Sequence, residues 1–244
     1  MIIGARTAAW AKSGYTAKDY FEDVPIAAWD GIENAGWGVH DQNATVWKDL
    51  SGNGNDLTQT GTVNTTWEND ACVFDKNRGM GMISFPEAKD AVLSKNFTLE
   101  VVFSITSTNN TNGSLFGLGS APHRTLFVFV NAGVTIQSAL FKNTQVMPIG
   151  ENSLNQVNHL AITGDGRVYV NGEFYTQRIS STDEPRDTSF NIGYLPQFRD
   201  YMIGKINAIR FVGENLTADE IAHNYEIDKA RFNLPDKPFK ETNQ

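Results

Sequence analysis

The chain has one cysteine, Cys72, so it can form no internal disulfide. A lone cysteine in a strand-like run reads as a small buried apolar residue rather than a nucleophile, and no base accompanies it. Basic excess is also missing: 20 Lys and Arg stand against 28 Asp and Glu, for a net charge of −8. Nucleic-acid binding rests on clustered cations that neutralise phosphates, so that class of partner is excluded. No apolar run is long enough to span a membrane. The N-terminus, MIIGARTAAWAKSG, lacks the basic start and apolar stretch of a secretion signal, so the expected site of synthesis and folding is a cytoplasm. The four histidines, His40, His123, His159 and His223, are dispersed with no H-E-x-x-H. There is no G-x-S-x-G and no strand of the form E-x-D-x-x-E, and Glu100 stands alone on its strand face. Paired carboxylates across a glycosidic bond are therefore not visible, and no enzyme is expected.

What the chain does have is turns and alternation. In NHLAITGDGRVYVNGE (residues 158–173), Leu160 and Ile162 share one parity, and so do Val168 and Val170. Gly164-Asp165-Gly166 separates these two runs, and Asn171-Gly172 follows them. Asn-Gly tolerates positive φ at both central turn positions, so the stretch predicts a β-meander. Phe97, Leu99, Val101, Phe103 and Ile105 alternate with Thr98, Glu100 and Ser104, which predicts a strand with one dry and one wet face. On this pattern His159 faces solvent or a neighbouring strand. Strands are also expected at Ala71–Asp75, Leu115–Leu118, Leu126–Val130, Val134–Phe141, from Asn191, and over Ile203–Val212. The run LFVFV (residues 126–130) is apolar on both faces. It fits a central strand that is covered twice or meets a second molecule, which leaves a homo-oligomer open. Thr217 with Glu220 is a capping box, and Ile221 with Tyr225 gives an apolar stripe. Together they predict one helix over about Ala218–Arg231 that covers an end of the sandwich.

These residues carry a resemblance. The meander resembles the central hairpin of laminin-G-like, concanavalin A-like jelly rolls, with Val157 where that pattern has tryptophan. Trp47 to Leu57 is similar to their W-x-D-x-S-G-N-G-N opening. Ile192-Gly193…Met202-Ile203-Gly204-Lys205-Ile206-Asn207 resembles their closing strand. The stretch Trp29-Asp30-Gly31 to Trp47-Lys48-Asp49 also looks like proteins encoded by phages and prophages. The resemblance implies an all-β, two-sheet antiparallel jelly-roll sandwich over residues 24–232, with one short C-terminal helix. A polar tail follows at 233–244. Residues 1–23 form an N-terminal arm, packed on its own domain or docking into a partner through Trp10.

Two candidate sites follow. Asp49, Ser51 and Asn53 offer alternating oxygens, but position twelve of such a loop is Thr60 and supplies no bidentate carboxylate. The family often binds calcium at a sandwich edge through this loop and the closing strand, where Asn207 stands in place of its aspartate. Either Ca2+ sits there, or Asp49 caps backbone N–H groups and Asn207, pointing coreward, bonds the same loop. Second, Trp37 with Glu33, His40 and Asp41 could grip a sugar by stacking and hydrogen bonds, or could be an ordered loop whose acids accept turn N–H groups. The resemblance implies a non-enzymatic, virion-associated carbohydrate-binding module of phage tail- or head-fibre type. Its partners would be host surface glycan and, through the arm, other virion proteins. A structural decoration module is the alternative, and a glycoside hydrolase a further one.

Overall fold

The computed structural model describes residues 18–20, 25–75, 78–82, 84–106, 112–119, 126–131, 135–138, 144–148, 155–177, 188–195 and 200–236. In chain order the strands are β1 (Ala27–Asp30), β2 (Val46–Trp47), β3 (Leu57–Gln59), β4 (Thr66–Trp67), β5 (Cys72–Phe74), β6 (Met80–Met82), β7 (Thr98–Ile105), β8 (Asn112–Leu118) and β9 (Leu126–Asn131). They continue as β10 (Thr135–Ser138), β11 (Thr144–Pro148), β12 (Asn158–Thr163), β13 (Arg167–Val170), β14 (Glu173–Gln177), β15 (Phe190–Ile192), β16 (Tyr194–Leu195), β17 (Asp200–Tyr201) and β18 (Gly204–Val212). The helices are α1 (Pro86–Ser94) and α2 (Ala218–Phe232).

One sheet runs β14-β13-β12-β7-β18-β5-β4, with β1 also paired to β18. The other runs β11-β10-β9-β8-β15-β6-β3-β2, and β16 with β17 forms a small ribbon. The strand pairs are antiparallel, as the sequence predicts. The meander forms as expected, and it pairs Leu160 with Val170 and Ile162 with Val168. Asn171 and Gly172 both take positive φ, at 49° and 76°, which the tight return requires. Period two sends Phe97, Leu99, Val101, Phe103 and Ile105 into the core between the sheets, against Leu115, Phe116, Leu118, Phe190 and Ile192.

The long strand β18 has two partners along one edge. Gly204–Ile206 pairs with β5, and Ala208–Phe211 pairs with β1. The ladder to β7 shifts register between Ile206 and Ala208. That bulge lets Ile206 and Ile209, three apart, both face the core. Asn207 sits at the bulge, where β5 hands over to β1.

Three expectations need correction. Helix α2 does not cover an end of the sandwich. It lies across the outer face of the first sheet, where Tyr225 and Phe232 pack with Ile32, Val102, Ala208 and Leu234. Ile221 packs there with Ala161, Tyr169, Val212 and Leu216. The face of β7 that alternation marks as wet is consequently dry: Thr98, Glu100 and Ser104 are all buried. Alternation reports a change of partner from core to something polar, and here that partner is a polar-lined helix rather than water. Helix α1, finally, has no counterpart in the sequence reading. Most of the arm and tail, and the segments 139–141 and 179–187, lie outside the described residues.

Candidate functional site

The loop after β1 is built from side chains that satisfy their own backbone. Asp30 Oδ1 accepts from Ile32 N and Glu33 N at 2.9 and 3.2 Å, which turns the chain out of the strand. Glu33 Oε1 accepts from Gly38 N at 2.8 Å. Asn34 and Asp41 clasp the loop's neck, with Asn34 Nδ2 donating to Asp41 O and Asp41 N donating to Asn34 Oδ1, both at 2.8 Å. Asp41 Oδ1 accepts from Asn43 N. His40 Nδ1 donates to Gly31 O at 2.9 Å. Trp37 stands at the tip, between Gly36 and Gly38 at φ 124° and 70°, and is 45% exposed with Val39 at 51%. The structure thus brings Glu33, His40, Asp41 and Trp37 into one loop. The three polar groups bond within the loop, with Glu33 Oε2 also 3.7 Å from Arg231 Nη2, and the indole stands outside this network.

The Asp49 loop resolves in the same way. Asp49 Oδ1 accepts from Ala28 N and Ser51 N, and Oδ2 from Asn55 N and Ser51 Oγ, at 2.7–3.0 Å. Asn53 Nδ2 donates to the carbonyls of Pro25 and Ile26. Asn207 does not reach this loop. Its Nδ2 donates to Asp70 O at 3.1 Å and its backbone O accepts from Gly31 N at 2.7 Å. It therefore stitches the seam where β18 changes partner, with its Oδ1 buried and, among the described residues, unpaired. Among the described residues no group of three or more His, Cys, Asp or Glu side chains could hold a metal. The set Asp49, Ser51, Asn53 and Asn207 fits a hydrogen-bonded turn and a separate seam, and does not fit one cation.

Sequence reasoning missed an extended buried polar assembly, which lies between the first sheet and α2. Glu100 is not alone. Its Oε1 lies 3.2 Å from His159 Nε2, and its Oε2 accepts from Arg210 Nε at 2.8 Å and Asn224 Nδ2 at 2.9 Å. Arg210 forks onto Asp228 with bonds of 2.9 and 2.6 Å. Arg231 Nη1 reaches Asp30 Oδ2 at 2.6 Å, which ties the helix to the root of the Trp37 loop. His159 is fully buried and faces the neighbouring strand. Burial alone would raise the Glu100 carboxyl, but the Arg210 charge and the His159 hydrogen bond outweigh it and hold the group down at about 2. Burial lowers Arg210 less than Asp228 and Glu100 raise it, so it stays charged. Burial pushes the Cys72 thiol up, which keeps it inert. The available signal was the parity of β18: Arg210 falls opposite Glu100 in the pairing of β18 with β7.

Residues 77–222 match the family model described as the concanavalin A-like lectin/glucanases superfamily. The chain belongs to that family, in its laminin-G-like form. Curated proteins give no match. Among solved structures it resembles the Trypanosoma rangeli sialidase in complex with the inhibitor DANA, with TM-score 0.61 and 16% identity over 82% of this chain. It spans only 32% of that sialidase. It also resembles domain 4 of AbnA, a GH43 extracellular arabinanase from Geobacillus stearothermophilus, in complex with arabinotriose. There the TM-score is 0.57 and the identity 16%, covering 81% of this chain and 96% of that one. At these identities the likeness is one of fold.

Proposed function

We propose that this jelly roll is a non-catalytic carbohydrate-binding module that holds its ligand against the exposed face of Trp37. The observation that carries the reading is an indole displayed between two positive-φ glycines, at the tip of a loop clasped by Asn34 and Asp41. Sugar rings stack on such faces through their C–H groups, and a pre-ordered loop spends little entropy on binding. The arabinotriose-bound AbnA domain, 96% of which this chain covers, supports the same class of ligand. A hydrolase is disfavoured because Glu100, on β7, and Asp228, on α2, are sealed between the first sheet and the helix and clamped by Arg210. Neither can meet a glycosidic oxygen in this arrangement. The resemblance of the opening stretch to phage-encoded proteins supports display on a particle, with host surface glycan as the ligand.

The test is an array of bacterial surface glycans probed with the full chain and with Trp37→Ala, each with calcium and with chelator. The expected result is selective binding, reduced about tenfold or more in the variant, a loss of about 1.4 kcal/mol, and equal in both buffers. Binding that survives in Trp37→Ala would reject this loop as the site. No binding by a folded wild-type chain would reject the module as a lectin.

A further inference from the structure

Three consecutive residues ahead of the sandwich dock on it at three separate points. The Lys18 ammonium stands 5.0 Å from the centre of the Trp37 ring. The Asp19 carbonyl accepts from His223 Nε2, on α2, at 3.1 Å. The Tyr20 ring packs under the Arg210 guanidinium at 3.8 Å, with Arg231 at 5.5 Å. Its hydroxyl donates to Asp228 Oδ1 at 2.6 Å and accepts from Arg231 Nη1 at 2.8 Å. The same segment thus touches both the buried charge cluster and the candidate ligand platform.

The three contacts differ in strength. Tyr20 makes two charge-assisted hydrogen bonds and a close cation–π contact where water is largely excluded, so its position is firm. Lys18 is exposed and its contact with Trp37 is a single solvated cation–π pair, which is weak. We infer that Lys18–Tyr20 is a strap: Tyr20 latches it into the Arg210–Asp228–Arg231 pocket, and the latch holds the Lys18 ammonium over the Trp37 face. A ligand that stacks on that face must first displace Lys18. Anything that pulls Tyr20 from its pocket frees the indole. The competition for ligand rests on the glycan reading of Trp37, whereas the strap itself does not.

The experiment uses the full chain as wild type, Lys18→Ala, Tyr20→Ala and Tyr20→Phe. Hydroxyl-radical footprinting reads oxidation of Trp37, with Trp29, Trp47 and Trp67, at most 7% exposed, as internal references. Glycan affinity is measured on the same samples. Trp37 should label faster in Lys18→Ala and in Tyr20→Ala while the references stay protected. Tyr20→Phe, which keeps the ring but loses both hydrogen bonds, should fall between wild type and Tyr20→Ala. Glycan affinity should rise about two- to fivefold in Lys18→Ala, the size of one exposed cation–π contact. Unchanged Trp37 labelling in both alanine variants overturns the strap. Faster labelling with unchanged affinity overturns the competition. Faster labelling with no glycan bound by any sample keeps the strap and overturns the glycan reading instead. If Tyr20→Ala exposes the reference tryptophans through unfolding, Lys18→Ala and Tyr20→Phe decide.

Discussion

At the scale of single residues, most polar side chains that look like ligands are structural acceptors. Asp49 shows why. A carboxylate with four donors within 3.0 Å has its lone pairs committed, and a cation would have to displace the backbone N–H groups of Ala28, Ser51 and Asn55. Asp49→Ala should therefore cost about 2 kcal/mol in denaturant unfolding, the loss expected when charged hydrogen bonds are removed. Millimolar calcium should leave the wild-type melting temperature where it was. A calcium-dependent rise in melting temperature, abolished by Asp49→Ala, would restore the cation reading. The loop composition was legible in the sequence, because Asp, Ser and Asn before glycines announce a turn. The identity of the donors was not, since Ala28 lies 21 residues away and only the fold brings it near. The same holds for Asn207, whose partner at Asp70 is 137 positions distant.

At the scale of elements, local patterns predict what local forces decide. The meander was legible because Asn171-Gly172 and alternating aliphatics act within a few residues of each other. Helix α2 was legible from its capping box, which forms in full: Thr217 Oγ1 accepts from Glu220 N, and Glu220 Oε2 accepts from Thr217 N at 2.6 Å. The surface α2 covers was not legible, because Glu100 and His159 look like solvent-facing residues until Arg210, Asn224 and Asp228 arrive from elsewhere. Helix α1 was missed although Pro86 opens it and Lys95 closes it in the left-handed region. Nine residues at weak apolar contrast gave too little periodicity against those end signals. Thr217→Ala should lower stability by about 1 kcal/mol through loss of the cap. Because α2 roofs the first sheet, hydrogen exchange should also quicken at the amides of α2's first turn before those of β7. Uniform protection in both, with an unchanged denaturation midpoint, would mean that tertiary packing alone holds the helix end.

At the scale of the whole molecule, the buried charges make the fold's stability depend on acid in a calculable direction. The Glu100 carboxyl moves from its ordinary 4.5 to about 2 on folding, because Arg210 and His159 overcome the cost of burial. A carboxyl whose folded value is depressed stabilises the native state fully above its unfolded value. As pH falls the unfolded chain takes up the proton first, so the contribution drains away between about 4.5 and about 2. A separation of that size corresponds to about 3 kcal/mol, a large share of a domain's total. The melting temperature should therefore drop steeply across this window. Other carboxylates titrate there too, so the decisive comparison is with Glu100→Gln. That variant should be less stable than wild type at neutral pH, since it leaves Arg210 short of one carboxylate in a dry site. Its stability should fall less steeply below pH 4.5, and the two curves should converge near pH 2. Parallel curves across the window would show that acid lability comes from other carboxylates, and that the Glu100–Arg210 pair shapes the interface under α2 without setting the stability of the sandwich against acid.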